Sequence, residues 1–172
     1  MRTATFQGLF VDVLRDLYDA EHQTLKGLVQ MIKHAHDPDL KEAFQNHHKE
    51  TRNQIARLEH IFEDLDQDPE GMTCHGMEGL MEEAKEVLKQ RGRSAIKDAA
   101  LIIAAQKIEH YEMAAYGSAR TIAAELDLDD IADLLQDSLN EEGGADKKLT
   151  KLAKGGLFSK GINEEAEEYN DY

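Results

Sequence analysis

Hydrophobic residues along this chain return every three or four positions over four long stretches, the period of an α-helix that buries one face. The first, from about residue 5 to 35, carries a stripe through Phe10, Leu14, Leu17, Glu21, Leu25, Leu28 and Ile32. The second opens at HDPDL, where Asp37 is placed to cap the helix and Pro38 to fill its first turn, and continues to about residue 65. Its stripe reads Leu40, Phe44, His47, Glu50 or Thr51, Gln54, Leu58 and Phe62. The third, from Ser94 as cap to about residue 126, places Ile102, Ala105, Glu109, Glu112 and Tyr116 on one face. The fourth follows the acidic start at residues 127–130, suited to the positive end of a helix dipole, and runs through Leu135, Leu139, Glu142, Asp146, Leu149 and Ala153.

The joints near residues 35–38 and 125–128 are so short that each flanking pair must form an antiparallel hairpin. Residues 66–93 form a long connection, with the breaker cluster DQDPEGMTCHG and a shorter helical pattern, MEGLMEEAKEVLKQ. Hairpin, crossover, hairpin predicts an all-α, ferritin-like four-helix bundle over residues 1–155, its crossover carrying a short extra helix. After Gly155, GGLFSKGINEEAEEYNDY loses the period and turns acidic, so residues 156–172 are expected to be a mobile tail, with Leu157 and Phe158 as docking candidates.

The chain has 172 residues, two prolines and no tryptophan, enough for one helical domain with a real core. Asp12, Arg15 and Asp16 interrupt the N-terminal apolar run, which argues against a signal peptide or membrane span and makes the cytoplasm the expected compartment. A net charge of −15 repels phosphate backbones and disfavours nucleic acid, including the role of a DNA-protecting shell. Cys74 is the only cysteine, so a metal site would have to be built from oxygen and imidazole.

Acids interrupt all four apolar stripes: Glu21 in the first helix, Glu50 in the second, Glu109 and Glu112 in the third, Glu142 and Asp146 in the fourth. An unneutralised buried carboxylate costs several kcal/mol, and no lysine or arginine accompanies them in the stripes, which leaves metal ions, protons or a shifted helical phase. Register favours metal. Glu21 and Glu50 are nearly symmetric about the first turn and Glu112 and Glu142 about the second, so each hairpin delivers acids at one level. Gln54 and Asp146 follow Glu50 and Glu142 by one turn on the same face. Carboxylate-rich ligation favours iron or manganese, and two ions best offset so many acids. On hairpin register Glu50 and Glu142 are the bridging candidates, with Glu21, Glu112, Asp146, Gln54 and Glu109 terminal; the stripe through Ile108 and Ala115 turns Glu109 partly outward. His47 is a ligand candidate, with a hydrogen bond to a neighbour beside the centre the favoured expectation, and Tyr18, Tyr111 and Tyr116 are read as core aromatics in preference to partners of a ligating carboxylate, Tyr18 and Tyr111 being kept as candidates for supporting the ligands. Gly143 and Gly144, costing about 1 kcal/mol each in a helix, predict a bulged turn that re-aims Glu142 and Asp146, or a close approach of helices.

Taken together, DLYDAEHQ, HKETRNQIARLE, MEGLMEEAKEV, DAALIIAAQKIEHYEMAAYG and EEGGADKKL resemble the YciE/YciF-type bacterial ferritin-like stress proteins over nearly the whole chain to about Gly155. The resemblance implies a four-helix bundle with extra short helices, a homodimer, a di-metal centre on the acids and Gln54 named above, and a place in stress responses. Related centres carry histidine three residues after a ligating glutamate; here Asn53 and Ala145 hold those positions. The expected activity is handling of peroxide or dioxygen, as oxidase or peroxide-disproportionating chemistry. The competing expectation is a non-catalytic stress or interaction protein whose core acids hold structural metal, protons or nothing.

Overall fold

The structure, a computed structural model, describes residues 5–91, 94–156 and 159–168. It contains α1 (Phe6–His34), α2 (Pro38–Asp64), α3 (His75–Lys89), α4 (Ala95–Glu125), α5 (Asp129–Lys154) and α6 (Ile162–Glu168), and no strand among the described residues. The helix starts obey their capping residues. Thr5, Asp37 and Ser94 each accept a backbone N–H from the first turn of α1, α2 and α4, and Pro38 opens α2. Asp127 adopts a left-handed conformation (φ 58°) in the tight turn from α4 to α5.

Helices α1 and α2 form one antiparallel hairpin and α4 and α5 the other, with α1 against α4 and α2 against α5. The expected ferritin-like connectivity is therefore present, closed by the crossover. Asp98, in the first turn of α4, clasps the far hairpin by accepting the backbone N–H groups of His36 and Asp37 at 2.8 and 2.7 Å. Crossover helix α3 packs on α1 and α4. Cys74 caps it through Sγ and lies buried beside Tyr111, with both its Sγ and the Tyr111 hydroxyl against Asp16.

Residues 159–168 depart from the expectation of a mobile tail. The chain turns at Gly155 (φ 73°), where a Cβ would collide with the backbone of Gly161, and α6 then packs on α4 and α5 with Ile162 buried. The anchoring contacts are non-local, so sequence periodicity carries no trace of them. Leu157 and Phe158 lie outside the described residues.

The apolar interior is split in two. One cluster, around Leu28, Phe44, Leu101, Met77 and Leu149, fills the end near the α1–α2 turn. The other, around Phe10, Leu14, Leu58, Tyr116 and Leu135, fills the opposite end. Between them lies a layer of buried polar side chains.

Candidate metal centre

Each long helix supplies this layer. Glu21 and Thr24 come from α1, His47, Thr51 and Gln54 from α2, Glu109 and Glu112 from α4, Ser138 and Glu142 from α5, and all are buried. The four glutamates are at most 2% exposed. One donor atom from each of His47, Glu109, Glu112 and Glu142 lies within 4.8 Å of the other three. Donors about 2.1 Å from a single ion stand a few ångströms from one another, so this set closes on a cation with small side-chain shifts.

Three carboxylates share one design, in which a neutral donor holds one oxygen and leaves the other free. Tyr116 donates to Glu21 Oε1 at 2.5 Å, Thr24 to Glu112 Oε1 at 2.7 Å, and Gln54 Nε2 to Glu142 Oε1 at 2.5 Å. The second oxygens of Glu21, Glu112 and Glu142 have no hydrogen-bond partner, and neither do Glu109 Oε2, Gln54 Oε1 or the two ring nitrogens of His47. His47 Nε2 stands 3.1 Å from Glu109 and 3.6 Å from Glu142, close enough for ion pairing but not aligned as hydrogen bonds. Native interiors leave few such atoms unpaired, so seven converging in one layer fit a site completed by a cation.

The electrostatics say the same. Burial pushes the Glu21 carboxyl up to about 8, against the pull of the Tyr116 hydrogen bond. Glu112 is raised well above the carboxylate range by burial, then by Glu21 and Glu109; Glu142 is raised by burial, then by its contact with Glu109. Burial would raise Glu109 too, but the His47 imidazole outweighs it and holds Glu109 below its ordinary value. In His47 burial opposes the charged form, and Glu109 overcomes it and raises the imidazole well above 6.5. Without a cation the layer holds protons, because one imidazolium cannot balance four carboxylates in a low dielectric.

Of the residues singled out from the sequence, Glu109, Glu112 and Glu142 converge, and Glu21 and Gln54 lie in the same layer. Glu109 faces fully inward rather than partly outward. Glu50 does not join them: its side chain is 43% exposed and meets the centre only through His47 Nδ1, at 3.5 Å. The inward position on that turn belongs to Thr51, the alternative phase of the stripe. Asp146 is also displaced. Four residues overshoot a 3.6-residue turn by about 40°, which carries it to the α4 side, where Gln106 and His110 hold it. Tyr18 bonds Glu59 near the surface and Tyr111 bonds Asp16, so neither holds a glutamate of the layer; Tyr116 does, through Glu21. Sequence reasoning keeps His47 beside the centre, yet it is a member of the converging set, and its place in the α2 stripe is the signal. Thr24, one turn after Glu21, gives no signal apart from its spacing.

The paired glycines also need a different explanation. Helix α5 runs without a bulge through Gly143 and Gly144. A Cβ on Gly144 would meet nothing within 4 Å, and one on Gly143 only the end of Met113 at 3.8 Å, so no helix approaches closely there. Gly144 instead borders a cavity of about 520 Å³ between α2 and α5, which reaches inward to His47 and Glu109.

Fold and site together define a four-helix bundle with a buried carboxylate and histidine centre. The chain matches the family described as Domain of unknown function (DUF892) over residues 5–167, and it belongs to that family. It is 39% identical over 164 residues to Protein YciF of Escherichia coli (strain K12), covering 95% of this chain and 99% of YciF. The crystal structure of that E. coli stress protein superposes with a TM-score of 0.84 at 40% identity, over 87% of this chain and 95% of the other. YcfI from Rhodopseudomonas palustris gives 0.84 at 40% identity, over 88% and 97%. A protein from Xanthomonas campestris pv. campestris shares the fold alone, with a TM-score of 0.69 at 19% identity, over 86% and 89%. No helix among the described residues is long and apolar enough to cross a membrane.

Proposed function

We propose that this chain is a carboxylate-bound metal protein holding two iron or manganese ions and acting on peroxide or dioxygen during stress. The observation that carries the reading is the convergence, between two ordinary apolar clusters, of seven buried polar atoms that lack a hydrogen-bond partner. Glu109, Glu112, Glu142 and His47 would hold one ion, with Glu21 and Gln54 placed to complete a second. An oxygen-rich set with one imidazole suits iron or manganese better than copper. The stress association is that of the relative described as a stress protein.

When bound, the ions would supply Lewis acidity and changes of oxidation state toward an O–O unit. The protein's part is positioning and the exclusion of water. Tyr116, Thr24 and Gln54 hold one oxygen of Glu21, Glu112 and Glu142 and aim the other inward. The flanking clusters keep bulk water from both ends. His47 spans the wall of the site, with Nε2 toward Glu109 and Nδ1 toward Glu50 in the cleft. With Nε2 on the ion, Nδ1 would be left to face Glu50, which orients the ring.

Metal analysis of protein from its native source, with peroxide-consumption and Fe(II)-oxidation assays on the wild type, Glu142→Ala and Glu112→Ala, tests the reading. Bound iron or manganese with turnover lost in both substituted proteins supports it. Bound metal with no turnover in the wild type, or with turnover that Glu142→Ala and Glu112→Ala both retain, favours a second reading, a structural metal in a non-catalytic protein. One observation points that way: only one four-donor set closes within 4.8 Å among the described residues.

A further inference from the structure

The α2–α5 cleft is the one feature of the centre that its ligand geometry does not require. On the opposite side, Leu28, Met31 and Met81 pack against the space beside Glu109, and no water-sized volume remains. On the α2–α5 side the cavity of about 520 Å³ ends on His47 and Glu109, both buried and both carrying polar atoms without a hydrogen-bond partner. The charged groups toward its mouth are Lys49, Glu50, Glu141 and Lys148, and the two acids are not equivalent. Glu141 is engaged by Arg57 through two hydrogen bonds of 3.1 Å, whereas Glu50 touches His47 and no lysine or arginine among the described residues. Glu50 is thus a half-exposed carboxylate standing between solvent and a buried donor.

Gly144 explains why the cleft is open. It lies in an unbroken helix, where glycine is disfavoured, and its missing side chain would meet nothing within 4 Å. Neither strain nor packing calls for glycine here; what its absence of a side chain preserves is the free space of the cleft, with Ala145 and Ala43 as the neighbouring small residues.

We propose that this cleft is the loading port of the centre, through which a divalent cation passes from solvent to His47 and Glu109, with Glu50 receiving it and Gly144 keeping the aperture open. The inference rests on the metal reading above, and the experiment separates the two. Chelator-stripped protein is mixed with Co(II) or Mn(II), and both the final stoichiometry and the rate of uptake are measured. The variants are Gly144→Leu, Glu50→Gln and, as a helix glycine also in open space but on α3, Gly79→Leu.

The expected result is unchanged stoichiometry throughout, uptake slowed about tenfold or more in Gly144→Leu, slowed less in Glu50→Gln, and wild-type uptake in Gly79→Leu. Gly144→Leu should also melt higher than the wild type, since leucine is the better helix former. Uptake by Gly144→Leu at the wild-type rate overturns the port. So does lost stoichiometry in a folded Gly144→Leu, because a port residue leaves the site intact. Failure of the wild type to bind either ion overturns the metal reading instead.

Discussion

The middle of the bundle and its two ends are built on opposite principles. At the ends Leu14, Leu58, Leu101 and Phe44 are buried and fully packed, and their burial is what folding gains from. In the middle four glutamates occupy positions of the same depth, and the chain spends Tyr116, Thr24 and Gln54 on orienting them rather than on filling space. A bundle with leucines throughout would be more stable without metal. The difference sets a layer suited to holding a cation between apolar ends that supply the stability to carry it.

Substitutions in the two regions should therefore have opposite signs. Among substitutions the largest effect is expected from Leu58→Ala at one apolar end, a loss of about 3 kcal/mol by chemical denaturation whether or not metal is present. Next is metal itself: at a free concentration about 100 times its Kd, Mn(II) or Fe(II) should stabilise the wild type by about 2.7 kcal/mol and leave Glu142→Ala unchanged. Glu112→Gln comes third. In the metal-free protein at about pH 8 it should stabilise by about 1 kcal/mol, since it removes a buried acid, while abolishing the metal-dependent rise in melting temperature. A loss of stability in metal-free Glu112→Gln would break the comparison.

The most diagnostic effect is the pH slope, which adds up over several groups rather than following from one substitution. Glu21 titrates near 8 in the folded chain and near 4.5 when unfolded, so the folded state binds more protons between those values. Stability of the metal-free protein should fall as pH rises from about 5 to about 8, and raised Glu112, Glu142 and His47 act in the same direction. Metal binding requires deprotonated carboxylates, so the metal-loaded protein should show the slope flattened or reversed in thermal melts across that range.

How much of this is legible in the sequence follows from the range of the contacts involved. Helix ends are readable because caps are local: Asp37, Pro38 and Ser94 do what their types do at helix starts. Glu21, Glu112 and Glu142 are readable because an acid in an apolar stripe is a local contradiction. Glu50 is misplaced by that reasoning because symmetry about a hairpin turn fixes height but not rotation, and one residue of phase exchanges Glu50 for Thr51. The docking of Ile162 and the choice of Tyr116 over Tyr18 and Tyr111 depend on elements far apart in the chain, which a periodic pattern does not reach.

Cys74 has a chemical consequence of its own. Burial pushes its thiol up to about 11, despite opposing hydrogen bonds, so at neutral pH it stays protonated. Sulfenic acid formation begins from the thiolate anion. The chain's single sulfhydryl is thus a poor nucleophile shielded from solvent, and the polypeptide should survive repeated exposure to oxidants without acquiring an intermolecular disulfide.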